Sequence, residues 1–483
     1  MNTSRRLLIL MVITVIFAGA NAFAQAPDTA WTRMHGSDRD DYAYTVLQNA
    51  DNSYIVGGTT WSGDETEFDA YLLKLDENGD IIWTNTFGVE EGEFIYSMVE
   101  ASDGGYVVAG MIGSTVDWRN AYIVKVDNEG DTVWSTTYPG SRNAVAHYIN
   151  RTSDGGYVVT GKQIVVGRNW EVFILKLSQD GAHEWSNLFG GSNADEGHCI
   201  QQTADGGYII GGLTNSFGAG SGDHYLIKTD GAGDLVWSQT YGRESFDAAY
   251  AVAQTPDGGY IIAGSINNPD HGIYAVKTNP FGDTLWTRTY TRNTDIDICT
   301  SLDLTSDGGY IFGGYSHVPQ FHHDFYFVRA DAEGDSLWTK TIGFIDYDRG
   351  HCVKQTSDGG YIMVGQGSNS GPGGYNCYIV KLNSDYVGID DNTGLPENHK
   401  LMHNYPNPFN ATTNITINLR QNSDVGLTIY NLRGQEVETL INGKLSTGHH
   451  YITWDASQYS SGIYFYKLSS GDKVFAKRMT LLK

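Results

Sequence analysis

Asp-Gly-Gly-Tyr occurs six times in this chain, with its Tyr at 106, 157, 208, 260, 310 and 361, and a degenerate copy, Asp51-Asn52-Ser53-Tyr54, precedes them. These seven signals stand 50 to 52 residues apart. A fixed period of that length means one supersecondary unit repeated, each burying its apolar face against the next. Asp-Gly and Gly-Gly between runs such as Ala43 to Gln48 and Tyr54 to Thr60 mark hairpins, because the turn needs positive φ at its centre. A second hairpin follows in each unit: Tyr71 to Asp76 leads through Asn78-Gly79-Asp80 into Ile81-Ile82-Trp83-Thr84. The Trp returns at 134, 185, 237, 286 and 338, always with Gly four residues before it. Four short strands per unit, with no helical periodicity, describe the blades of a β-propeller.

The ends of the repeat region set the number of blades. The seventh unit stops after Tyr378 to Lys381 without a Trp strand, and the missing piece, Asp28 to Thr32 with Trp31, stands at the other end of the region. Seven Trp strands match seven turns only if the first strand completes the last blade. A ring needs that arrangement to remove open sheet edges, and a linear array does not. The expected fold is therefore all-β: a seven-bladed β-propeller over residues 25–384, closed by the N-terminal strand. A polar linker over 385–400 and a small C-terminal β-sandwich over 401–483 follow. One face of the wheel carries the short turns, and the other carries the longer, variable connections, where function usually resides.

Composition narrows the partners. Lys and Arg number 31 against 56 Asp and Glu, a formal net charge of −25. Such a surface repels nucleic acid and anionic lipid. Arg5 and Arg6, the apolar run Leu7 to Ala18 and Ala22-Phe23-Ala24 read as a secretory leader over residues 1–24. No later segment reads as a membrane span, and the mature chain is expected to be a monomer. Four Cys are too few for a disulfide scaffold. Cys199, Cys299 and Cys352 are assigned to one slot with Thr45, Ser97 and Ala251, which reads as a place for small side chains. Equivalent slots on different blades are out of disulfide reach, so the cysteines are expected to be free and buried.

What repeats in every blade answers a need of every blade, and what deviates marks a candidate site. Lys74, Lys125, Lys176, Lys228, Lys277, Arg329 and Lys381 form one periodic set, expected to be structural contacts between blades with carboxylate partners such as those before the Trp strands. Asp41, Glu93, Asp195, Asp247, Asp297 and Asp348 form another at the start of each inner strand, with Ala144 in the seventh place. Two readings fit these acids: an acidic funnel, or acceptors for backbone N–H groups that tie adjacent blades. Three residues on stand Tyr44, Tyr96, His147, His198, Tyr250, Thr300 and His351, at the mouth of the channel. Their less regular identities make the Tyr and His members candidate ligand contacts. Trp61, Trp118 and Trp170 lie outside the periodic Trp positions, in the variable connections of blades 1 to 3. They form either an aromatic platform for a sugar or peptide or a local cover for their own loops. His317, His322 and His323 cluster between Ser316 and Asp324, with His271 one blade earlier, but without metal-ligand spacing. No metal, cofactor or catalytic residue is assigned, because nucleophile-elbow, metalloprotease, phosphate-loop and dinucleotide motifs are missing.

Residues 401–483 carry a different pattern. Alternating segments Thr413 to Leu419, Val425 to Asn431, His450 to Trp454, Gly462 to Leu468 and Lys473 to Leu482 are separated by turns at Arg433-Gly434, Asn442-Gly443 and Ser461-Gly462. The run Asn404-Tyr405-Pro406-Asn407-Pro408-Phe409-Asn410 precedes them. With Ile429-Tyr430-Asn431, Gly434-Gln435, Ser461 to Tyr466 and the terminal Lys477 to Lys483, this module resembles the type A C-terminal sorting domain of the type IX secretion system. The resemblance implies a Gram-negative source, an interaction with the type IX machinery through 401–483, and passage to the cell surface or the medium. The blades are similar to those of secreted bacterial proteins with Asp-Gly-Gly-Tyr repeats. The expectation is a non-catalytic binding or adhesion protein for an extracellular glycan or protein ligand. Its rivals are a polysaccharide hydrolase or lyase using His147, His198 or His351 as acid and base, and a structural surface component without a ligand.

Overall fold

The computed structural model describes residues 26–482 apart from 38, 62–67, 89–91, 114–118, 139–142, 166, 168, 268–270, 293–295, 319–321, 345–346, 369–373, 386–398, 406–408, 420–421, 447 and 471–472. The leader expected at 1–24 and Trp118 lie outside the described residues.

Seven four-stranded antiparallel sheets follow one another around an axis. Blade 1 runs Asp41–Gln48, Tyr54–Trp61, Phe68–Leu75 and Ile81–Phe87 from hub to rim, and the pattern repeats through blade 6. Blade 7 takes three strands from Arg349–Gln355, Tyr361–Gly367 and Asn376–Leu382 and its outermost from Thr29–His35. Trp31 faces Lys381 and Met34 faces Tyr378 across that last pairing. The inner strand of blade 1 packs against blade 7, so the ring closes as the strand count requires.

The repeated residues hold this geometry together. The first Gly of each full Asp-Gly-Gly-Tyr turn sits in the left-handed region, as at Gly155 (φ 87°). The second is glycine for a different reason. A Cβ on Gly156 would run into the Leu177 carbonyl and the Lys176 ammonium, and Gly207, Gly259, Gly309 and Gly360 face the equivalent pair. The periodic lysines are structural, but their shared partner is the turn Asp of their own blade, not a carboxylate of the next. Lys176 reaches Asp154 at 3.0 Å, Lys228 reaches Asp205 at 2.9 Å, and Lys277 reaches Asp257 at 2.8 Å. The ammonium also donates to the carbonyl one residue on, as Lys228 does to Thr229 at 2.8 Å. Lys176 also reaches Glu184, the acid next to Trp185, at 3.2 Å. The hairpin turn brings the Asp over the neighbouring strand, and the buried ammonium takes the nearest carboxylate.

The rim tryptophans join blades. Trp31, Trp134, Trp185, Trp237, Trp286 and Trp338 each meet the turn Tyr of the following blade at ring separations of 5.6 to 6.3 Å. In blades 1 to 6 the Gly four residues before the rim Trp covers the indole of the preceding blade: Gly181 lies on Trp134 and Gly233 on Trp185. A side chain there would displace the ring, so the Gly and Trp repeats express one contact. Arg329 replaces Lys in blade 6 because it reaches two acids, Asp307 and Asp385 at 2.5 and 3.0 Å. Asp385 also accepts from the Tyr361 hydroxyl (2.5 Å) and the Trp338 indole (2.8 Å).

The C-terminal module is a β-sandwich. A three-stranded sheet (His399–Tyr405, Thr412–Leu419, Gly448–Asp455) faces a four-stranded one (Glu436–Leu445, Ser423–Asn431, Gly462–Ser470, Lys473–Leu481). Trp454 is fully buried between them, beside Phe409 and Tyr464. Asn442-Gly443 is not a turn. It lies within Glu436–Leu445, because Gly426 and Val425 continue the pairing past it and Gly443 is nearly extended. Among the described residues, no helix is long and apolar enough to cross a membrane.

Candidate functional site

The inner strands share one irregularity. In all seven the register with the second strand slips by one residue, at Ala43/Thr45, Ile95/Ser97, Ala146/Tyr148, Gly197/Cys199, Ala249/Ala251, Cys299/Ser301 and Gly350/Cys352. The residue in each bulge is the third one after the strand-start position, so the bulge re-aims Tyr44, Tyr96, His147, His198, Tyr250, Thr300 and His351. The close approach needs glycine on the facing strand. A Cβ on Gly58, Gly110, Gly161, Gly212, Gly264, Gly314 or Gly365 would strike an inner-strand carbonyl.

The re-aimed side chains form a collar around the channel. Ring centroids lie 4.9 Å apart for His351 and Tyr44, 5.3 Å for Tyr44 and Tyr96, and 6.2 Å for Tyr96 and His147. The series continues at 5.3 Å from His147 to His198 and 4.9 Å from His198 to Tyr250. Thr300 bridges the remaining gap by donating to the Gly350 carbonyl at 2.9 Å. Burial pushes the Tyr96 phenol up to about 12. It lowers His351 to about 4, and His147 to about 3 with help from His198 and Lys162. His147 and His351 are therefore neutral at physiological pH.

The strand-start acids are buried beneath this mouth. Asp195 accepts from the Gly191 amide (2.8 Å), the Thr214 hydroxyl (2.5 Å) and the Ser216 hydroxyl (2.7 Å). Asp41, Asp247, Asp297 and Asp348 likewise accept amides from Ser37, Arg243, Arg292 and Phe344, four or five residues earlier. They cap the loops that deliver the chain from one blade to the next, which is the structural of the two readings.

One residue after each strand-start position the blades differ most: Tyr42, Phe94, Val145, Glu196, Ala248, Ile298 and Arg349. This makes the mouth lopsided. Tyr42 and Phe94 lie with Phe68 and Tyr375 in an aromatic wall, with neighbouring rings 5.1 to 6.0 Å apart. Trp61 extends it, edge-on to Phe68 at 4.8 Å, and the Arg39 guanidinium lies 5.9 Å from the indole. Trp170 stands on blade 3, with Lys162 over its ring at 5.0 Å. Both Trp residues are strand ends, facing Phe68 and Ile164 in register, and are half-buried. The variable face also exposes Phe217, Phe246, Phe344 and Tyr347. Tyr42, Phe94, Phe68 and Tyr375 escape a reading by repeats because they are odd members of positions that share no chemistry from blade to blade.

Glu196 brings a carboxylate to the His side of the collar. It lies 3.5 Å from His198 Nε2 and 3.0 Å from Lys162. Burial opposes its ionisation, but His198 and Lys162 outweigh that and hold it down to about 2. Deeper in the channel, Lys354 pairs with Asp303 at 3.4 Å. Ser301, not Cys299, takes the slot of Cys199 and Cys352 in blade 6, because Cys299 precedes the bulge, and Tyr148 takes it in blade 3, so that slot does not demand a small residue. It reaches the surroundings of Lys354 across the axis. All four cysteines are free. His317 and His323 face each other across a hairpin at 5.0 Å, and His323 Nδ1 accepts from Arg349 at 2.9 Å, which spends its lone pair.

Fold and site together define an asymmetric seven-bladed β-propeller joined to a small β-sandwich. Residues 403–481 match the secretion system C-terminal sorting domain, which makes the chain a type IX export substrate carried across the outer membrane to the cell surface or extracellular space. Within that module Asn404 is buried, donating to Thr413 at 3.0 Å, Phe409 is core, and Asn410 is exposed. Tyr405 ends the first strand, and Pro406, Asn407 and Pro408 lie outside the described residues. Among solved structures the chain is similar to PorZ, a bacterial surface component of the type IX system of Porphyromonas gingivalis, at 10% identity and TM-score 0.43. The alignment covers 93% of this chain and 60% of that one. It is also similar to a fungal AA5-family alcohol oxidase in complex with copper (12% identity, TM-score 0.48, 95% and 100% covered). A third likeness is the β-propeller domain of the trilobed protease of Pyrococcus furiosus (9%, 0.41, 73% and 98%). No curated protein sequence matches the chain.

Proposed function

We propose that this exported protein binds an extracellular glycan or peptide in the basin at the mouth of its channel and performs no chemistry on it. The observation that supports this most is the lopsided mouth. Trp61, Phe68, Tyr42, Phe94 and Tyr375 form a half-exposed aromatic wall on blades 7, 1 and 2, beside the polar corner of His147, Glu196, His198 and Lys162 on blades 3 and 4. Flat rings on one side and hydrogen-bonding groups on the other suit a ligand with one apolar and one polar face, such as a pyranose or an aromatic peptide side chain. The collar histidines favour binding over acid–base catalysis. A His lowered to about 3, like His147, is too weak a base, and its charged acid form is not populated near neutrality.

The test is binding of the full chain to glycan and peptide arrays, with a Tyr42→Ala/Trp61→Ala/Phe94→Ala variant beside it. The expected outcome is a defined set of ligands for the parent chain, lost in a variant that keeps its melting temperature. An unchanged array pattern in the variant refutes the basin.

A further inference from the structure

We propose that His147, Glu196 and His198 form a three-ligand site for a divalent transition-metal ion of the zinc type at the channel mouth. One ligand atom from each lies within 4.8 Å of the other two. Two imidazoles and one carboxylate are a donor set such ions favour.

The surroundings prepare the ligands in the state a metal requires. His147 Nδ1 lies 2.8 Å from the Gly197 carbonyl and His198 Nδ1 lies 2.7 Å from the Ala249 carbonyl. A carbonyl only accepts, so each Nδ1 carries a proton, and Nε2 is the atom each ring turns toward a metal. Backbone carbonyls that orient ligating imidazoles in this way are the usual outer support of a metal centre. Both carbonyls belong to the inner strand of the following blade, so the blade-to-blade packing aims the rings. His198 Nε2 already faces Glu196 at 3.5 Å. Ligand atoms about 2 Å from a zinc-type ion stand closer together than this, and small rotations of the Glu196 and His147 side chains close the difference.

Lys162 is the cation that neutralises Glu196 in the metal-free protein, at 3.0 Å. It is also the reason the corner is tunable. Its ammonium lies 5.0 Å over the Trp170 ring, which offers it a second position when a metal takes the carboxylate. Only blades 3 and 4 carry this set: the other collar positions are Tyr, Thr or His351, which is bonded to Gln366 at 3.3 Å. Periodicity does not reveal the site, because Glu196 is the sole acid at its position among the seven blades.

The experiment titrates the metal-free full chain with Co2+ and then Zn2+, reading the visible Co2+ spectrum and the binding heat. The expected result is one Co2+ per chain with absorption bands of a low-coordinate nitrogen–oxygen site, displaced by Zn2+. His198→Ala and Glu196→Gln are each expected to weaken binding about 100-fold, of the size seen when a metal site loses a ligand or its support. Lys162→Gln is expected to tighten it about 10-fold by removing the competing charge, a gain that misfolding cannot produce. His317→Ala serves as control and should bind as the parent does. A parent chain without the Co2+ bands, or bands that survive in His198→Ala, overturns the site. So does a Lys162→Gln variant that binds no more tightly. The result is separate from the array test, since metal binding can fail while ligand capture persists.

Discussion

At the scale of single residues, the bulge and its glycine decide where the collar points. Gly161 faces the Val145 carbonyl so closely that a methyl group has no room. Gly161→Ala should therefore cost about 1–3 kcal/mol through forced backbone displacement, measured by urea unfolding. It should also move His147, readable as a changed imidazole resonance, whereas a purely local effect would leave that resonance in place. The turn aspartates set the acid limit of the fold. Asp154 and Asp205 are held down to about 2: partial burial opposes ionisation, but a Thr hydroxyl, a backbone amide and the Lys ammonium outweigh it. A carboxyl with a folded pKa below its unfolded value of about 3.9 adds stability above that value and loses it as pH falls towards the folded one. Asp103, Asp257, Asp307 and Asp358 are lowered in the same direction. The melting temperature should thus drop most steeply between about pH 4 and pH 2, and a flat profile through that window would contradict the role given to the Asp–Lys pairs.

At the scale of elements, the closing strand carries more than its hydrogen bonds. Trp31 meets Tyr54 edge-on at 6.0 Å and lies under Gly79, so Thr29–His35 joins blade 7 to blade 1. Trp31→Ala should destabilise by about 2–3 kcal/mol, below the upper range for a buried Trp because this one is partly exposed. Removing the chain up to residue 36 should leave the edge at Asn376–Leu382 open and give concentration-dependent association in sedimentation; a monomer of unchanged melting temperature would show that the strand is dispensable. The blade count and closure were legible because ring geometry imposes the same demand seven times, and a demand repeated at a period of about 50 residues is visible in one chain. The collar was legible for the same reason, as third residues after a periodic acid. The aromatic wall was not. Tyr42 and Phe94 share their position with Val145, Glu196, Ala248, Ile298 and Arg349, and Tyr375 lies in a connection of no fixed length. The Lys partners were misjudged because an ion pair with the chain's own turn depends on how a hairpin folds over its neighbour, which spacing does not encode.

At the scale of the whole molecule, Asp385 marks the place where the wheel ends. It receives Arg329, Tyr361 and Trp338 together, and Arg329 is almost fully buried. Asp385→Ala should cost about 2 kcal/mol, below the figure for an orphaned buried charge because Asp307 still holds the guanidinium. A chain ending at 385 should melt like the full propeller, and one ending at 384 should melt like Asp385→Ala. Equal melting for both truncations would show that the latch adds nothing. The closure by Thr29–His35 has one more result. Synthesis and export deliver the segments in linear order, yet the first to arrive has no lasting partner until Cys377–Leu382 follows it some three hundred and fifty residues later. The last blade of a nascent or nicked chain is therefore incomplete until these two distant segments have met.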